Sequence, residues 1–221
     1  MRRNEILRRY TLLVISLFFT AMGVALAKHG ALGVSPISSV ANVLSCRIDA
    51  LSLGNWLILW NCLLILGQIV VLRRDFQPIQ FLQIPLSFLF GWFTDFWMWG
   101  VASVPADRYW MQLVLVLGGI VVLGFGVALS VIANVIMNSG EAFVKAVADR
   151  WGKNFGNVKV GFDVGCVALS VMLSLLLFDG AVVGTREGTV LTALLTGFIV
   201  KFFVARMERP LNSLLNGRTT A

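Results

Sequence analysis

Gly23-Val24-Ala25-Leu26 returns about a hundred residues later as Gly126-Val127-Ala128-Leu129. The correspondence extends outward from that tetrapeptide. Gly54-Asn55 matches Gly156-Asn157, Phe90-Gly91 matches Thr196-Gly197, and Asp95-Phe96 matches Lys201-Phe202. Each pair lies in an apolar run or opens one. A unit of roughly a hundred residues has been doubled, and its topology decides the architecture. If each copy crosses a bilayer an odd number of times, the copies point in opposite directions, a plan common among transporters.

Composition places the chain in a membrane. It is 58% hydrophobic, 13% charged, and its mean hydropathy is +0.86. Soluble domains carry about a quarter charged residues, and several runs here reach the roughly 20 residues that cross a bilayer. The formal charge of +7 fits basic cytoplasmic loops facing anionic lipid rather than nucleic acid. Cys46, Cys62 and Cys166 form no CxxC spacing, and His29 has no companion ligands, so no metal, cofactor or disulfide framework is expected. Arg2, Arg3, Arg8 and Arg9 precede an apolar run, as in a signal peptide. That run is long and belongs to the first repeat, so it is expected to stay as a helix.

Six spans are predicted: Tyr10–Ala27, Asn55–Leu72, Ile79–Trp99, Trp110–Met137, Asn157–Phe178 and Gly188–Ala205. With the N-terminus in the cytoplasm, Lys28, Arg47, Arg108 and Arg186 fall outside and the other fourteen of 18 basic residues fall inside. The positive-inside rule favours this orientation, with both termini cytoplasmic. The expected fold is an all-α polytopic membrane protein of six transmembrane helices, arranged as two inverted three-helix repeats in a single membrane domain. Repeat one covers about 10–100, repeat two about 110–206, and a cytoplasmic tail covers 207–221. Trp92, Trp97, Trp99 and Trp110 flank the loop 100–108 and fit an interfacial belt.

Each repeat holds a short intervening segment, re-entrant or interfacial. The first begins Gly33-Val34-Ser35-Pro36, where Ser35 can cap and Pro36 suits the first helical position. The second begins Asn138-Ser139-Gly140-Glu141, where Asn138 or Ser139 can cap and Glu141 favours the positive helix end. In broken-helix transporters such starts bind ions or anionic groups. Segment 139–153 also reads as an amphipathic surface helix or shallow dip, with Glu141–Lys145 as an i,i+4 pair. In 36–46, Ser35, Ser38, Ser39 and Asn42 supply the polar groups of a half-helix.

Charge inside a span costs about 2.5–3.5 kcal/mol on insertion scales, so each instance needs a reason. Asp163 and its repeat counterpart Asn61 make a candidate central site. Asp163 can carry a proton, bind a cation, or pair with Lys159 four residues earlier. Asp95 is placed to reach outer water, and Lys201 to snorkel to headgroups. Gln68, Gln83, Asn134 and Asn157 can line a cavity or bond between helices. Gly161 and Gly165 form a GxxxG that close helix packing explains. The glycine-rich run 184–189 lacks the P-loop lysine pattern.

Gly33-Val34-Ser35-Pro36, Asn138-Ser139-Gly140-Glu141 and Gly188-Thr189-Val190-Leu191-Thr192-Ala193-Leu194-Leu195-Thr196-Gly197 together resemble the YczE/YyaS/YitT-type integral membrane proteins. The resemblance spans essentially the whole chain and is most specific in the last block. The family typically has Trp after the first Pro, where Ile37 stands here, and often Pro in the second segment, which this chain lacks. The resemblance implies a bacterial inner membrane and little about substrate.

Taken together, the residues point to a small secondary transporter or exporter of a small solute, anionic or zwitterionic for preference, with Asp163 leaning towards proton or cation coupling. Its candidate binding residues are Asp163, Asn61, Ser35, Ser39, Asn138, Ser139 and Glu141. Expected partners are the lipid bilayer, the solute, and a second copy or partner membrane protein. The alternative is a non-transporting accessory or lipid-binding scaffold. The spans hold no HExxH, GxSxG or paired carboxylates, so no enzymatic activity is expected.

Overall fold

A computed structural model describes residues 3–215; Arg2 and Arg218, both assigned above to the cytoplasmic face, lie outside the described residues. The described chain is all helical: α1 (Arg3–His29), α2 (Pro36–Arg47), α3 (Leu53–Leu72), α4 (Gln83–Val101), α5 (Tyr109–Ala133), α6 (Ser139–Trp151), α7 (Phe155–Leu177) and α8 (Glu187–Leu215), with two 3₁₀ turns between α3 and α4. α1, α3, α5, α7 and α8 are long and apolar enough to cross a membrane. α4 has 19 residues but is diluted by Gln83, Asp95 and three tryptophans.

Predicted boundaries shift for local reasons. The third apolar run begins in 3₁₀ turns, and its α-helix starts only at Gln83. α5 stops at Ala133 because Asn134 takes the left-handed conformation, φ 47°, which Asn tolerates better than most residues. α8 runs on past Ala205 to Leu215, so the tail expected from 207 is helical to that point.

α1 and α5 form the centre and run antiparallel. Gly23 faces Gly119 and Leu123, Gly126 faces Ser16 and Thr20, and Gly30 faces Gln112 and Val116. Residue numbers thus fall along α5 as they rise along α1. A methyl on Gly23 would sit 2.5 Å from the Leu123 backbone nitrogen, and one on Gly126 2.5 Å from that of Thr20. Only glycine permits this approach, the small-residue packing found between membrane helices. α4 packs on α1 and α8 on α5, while α2 packs on α7 and α6 on α3.

Outer faces stay apolar. Leu59, Leu63, Leu66 and Val70 are exposed along α3, and Val190, Leu194, Phe198 and Phe202 along α8. Stripes of that length are unfavourable in water and natural against lipid tails. The Arg8 guanidinium donates to the Leu214 carbonyl at 2.7 Å, so the two ends of the described chain meet on one side.

Candidate functional site

The two short helices bring their first turns together. Gly33 turns the chain between α1 and α2 at φ 111°, and a side chain there would strike Thr189. α2 then starts with Pro36, and its residues from Pro36 to Val43 are almost all buried. The Ile37 side chain lies on Gly140 in the first turn of α6. Ser139, Gly140 and Val144 of α6 are also buried. This start of α6 is therefore packed into the bundle, not laid on its surface as expected for 139–153. The expected capping also differs. Neither Ser35 nor Asn138 makes a side-chain cap bond. Ser35 donates to the Ser38 hydroxyl, and the Ser139 hydroxyl lies 3.3 Å from that of Ser87.

A cavity of about 490 Å³ opens beside these two starts. Ser35, Asn138, Ser139 and Glu141 line it from the short helices, Asn61 from α3, Gln83 from α4, and Lys159 and Asp163 from α7. Six of the seven candidate residues therefore share one cavity. Ser39 is the exception. It is fully buried and donates to the Pro36 carbonyl, with the Cys166 carbonyl at 3.5 Å, so it helps seat α2 on α7 instead.

Lys159 and Asp163 form a bidentate ion pair one turn apart. The pairing and the cavity position, weighed above as alternatives, coexist. Glu141 does not pair with Lys145, which instead bridges Asp149 at 3.1 Å on the outer face of α6. Among the described residues, Glu141 has no hydrogen-bond or ion-pair partner. Burial pushes its carboxyl above the ordinary value; nearby Lys159 pulls it down and Asp163 raises it, both by less. Desolvation disfavours the charged form.

The floor is held by a reciprocal amide pair. Gln68 and Gln83 exchange two hydrogen bonds at 3.0 Å, and Gln68 also donates to the Ser139 carbonyl at 3.1 Å. This ties α3, α4 and the start of α6 together. Asn134 and Asn157 do not line the cavity; Asn157 lies in a separate hollow of about 610 Å³ between α6 and α7. Gly161 and Gly165 pack on nothing: a methyl on either would meet open space. Asp95 is not left to water, since it accepts from Ser52 and Gly54 at the start of α3.

Trp60, Ser87, Phe90, Thr192 and Thr196 also line the cavity and were missed. The sequence correspondence reaches only two of them, Phe90 and Thr196, which it pairs with each other. Phe90 corresponds to Thr196, as Asn61 does to Asp163, Ser35 to Asn138 and Ser38 to Glu141, and every one of these faces the cavity.

Several long apolar helices around a cavity with a few polar groups define a polytopic, all-helical membrane protein. The chain belongs to DUF6198, a family of unknown function whose model matches residues 7–205. It is also 26% identical over 220 residues to a protein of Bacillus subtilis (strain 168) described as "Uncharacterized membrane protein YczE", covering 99% of this chain and 96% of that one. The resemblance to YczE-type membrane proteins therefore holds. No solved structure matches significantly.

Proposed function

We propose that this protein is a small secondary transporter of the bacterial inner membrane, without enzymatic activity, that moves a small solute by alternating access between two inverted three-helix repeats. One observation carries the proposal: the cavity is lined by residues of both copies at matching positions. Transporters with inverted repeats place their sites at the repeat interface, often at the ends of short helices.

The antiparallel packing of α1 against α5 supports inversion, because α5 is the copy of α1. The meeting of the two chain ends supports α4 as a sixth crossing, since adjacent ends need an even number. Both termini then lie in the cytoplasm, where the basic residues concentrate. The preference for an anionic solute weakens, because two carboxylates and one ammonium face the cavity.

A second reading is a non-transporting accessory protein. The open face at Gly161 and Gly165 favours it, being suited to a partner helix or a second copy.

Topology is tested with single cysteines in a background lacking Cys46, Cys62 and Cys166. Impermeant reagent should label positions 73 and 153 from one side and 108 from the other. Reconstituted protein should then show saturable, gradient-driven solute flux that Asp163→Asn or Glu141→Gln abolishes. Labelling of 73 and 108 from the same side would end the inverted-repeat proposal.

A further inference from the structure

The two halves differ at one joint. α3 and α4 close on each other: a methyl on Gly54 would fall 2.2 Å from the Gly91 carbonyl oxygen. Asp95 of α4 accepts the Gly54 N–H at 2.8 Å and so holds the start of α3. A carboxylate is attracted to that positive helix end. The matching joint between α7 and α8 is open. Gly156 meets only its own cap oxygen, Gly197 meets nothing within 4 Å, and the two helices barely touch. Lys201 stands in α8 where Asp95 stands in α4. An ammonium has no attraction for a helix N-terminus, so this joint lacks its latch for an electrostatic reason.

The cavity wall between α7 and α8 is consequently a side opening. Phe155 and Val160 flank it on α7, beside the Lys159–Asp163 pair, and Ala193, Thr196, Gly197 and Val200 on α8; that mutually paired couple is the only charge on this wall. Outside it, Val164, Leu194 and Phe198 are exposed and face lipid in a membrane protein. Such an entrance suits a molecule already dissolved in the bilayer.

The lining sets the charge of that molecule. Lys159 and Asp163 neutralise each other. Glu141 lines the cavity as a second carboxylate with no hydrogen-bond or ion-pair partner among the described residues. The N-termini of α2 and α6 carry only partial positive charge, whose effect fades within the first turn, so they offset the Glu141 carboxylate in part. The remainder of the lining is mostly apolar, as ligand cavities generally are.

Resting on the cavity being a solute site, we infer that its ligand is a lipophilic monocation, which enters sideways between α7 and α8 and seats its charge against Glu141.

Tetraphenylphosphonium and the anion of the same shape, tetraphenylborate, provide the test. Equilibrium binding of each to the full chain in detergent is measured against empty micelles. The cation should bind saturably and the anion at least tenfold more weakly. Glu141→Gln should weaken the cation at least tenfold, while Lys145→Gln on the outer face of the same helix should not. If Glu141→Gln does not fold, the cation–anion comparison on the unmodified protein still decides. Absence of saturable cation binding, equal binding of the anion, or unchanged binding by a folded Glu141→Gln protein would overturn the inference. Cation binding without flux in proteoliposomes would leave the cation site standing and remove transport. Flux of another solute without cation binding would do the reverse.

Discussion

The Asp95 carboxylate reaches from α4 to accept the Gly54 N–H at 2.8 Å, while its other oxygen takes the Ser52 hydroxyl. Ser52 in turn accepts from the Asn55 N–H, so a charged and a neutral cap share one helix start. Removing a cap typically costs about 1 kcal/mol, and charged acceptors are worth more. Asp95→Asn should therefore lower the melting temperature of the purified protein, at about 1–2 kcal/mol. Ser52→Ala added to Asp95→Asn should cost less than the sum of the two, because both act on the same helix end. Strict additivity in thermal melts would show that the two caps work independently.

The glycines divide into packed and unpacked groups. Gly23→Ala and Gly126→Ala place a methyl 2.5 Å from the facing backbone, and overpacking of that kind costs about 1–3 kcal/mol. Gly161→Ala and Gly165→Ala meet open space and gain helix propensity of about 0.5–1 kcal/mol. Denaturation of the four variants should separate into two losses and two gains. If Gly161→Ala destabilises and also shifts the oligomer on size exclusion, that face is an interface between copies.

Gln68 and Gln83 bond to each other out of water, both nearly inaccessible. Gln68→Leu alone strands the Gln83 amide, and a stranded buried group costs about 1–3 kcal/mol. Gln68→Leu with Gln83→Leu removes both partners and should recover part of that loss. A double variant as unstable as the sum of the singles would assign the effect to packing.

Glu141 gives a pH dependence. Its carboxyl is raised above the ordinary value of 4.5 in the folded protein, so the folded state holds that proton after the unfolded state has lost it. Stability from this group is full below 4.5 and declines as pH rises through the folded value. Glu141→Gln removes the dependence. It should melt higher than the unmodified protein at pH 7–8, with the difference vanishing near pH 4. A constant offset across that range would show that ionisation of Glu141 is not the cause.

The side opening also predicts kinetics. Gly197 faces open space at the cavity's edge, so Gly197→Leu should fold normally and slow association of a bilayer-dissolved ligand. Stopped-flow binding checks this, and an unchanged on-rate would place the entrance elsewhere.

Membrane class and long helices were legible in the sequence. Hydrophobic runs of bilayer length have few other uses, and repeated glycines mark where backbones must meet. Six of the seven chosen polar residues share one cavity because a polar group in an apolar chain needs a polar place to go. Ser39 escaped that logic by bonding to its own helix, a choice that no spacing announces. Glu141 was assigned a partner at i+4 that tertiary packing denied it, since the same four-residue spacing also lets Lys145 reach Asp149.

What the sequence alone determined is the set of long apolar helices, because local apolar length is a property of the chain itself. Only the tertiary structure decided that the short helices meet at Ile37 and Gly140, and that α3–α4 closes while α7–α8 stays apart. Those outcomes depend on which backbones can approach and which charges then stand opposite a helix end. Such distances exist only after folding.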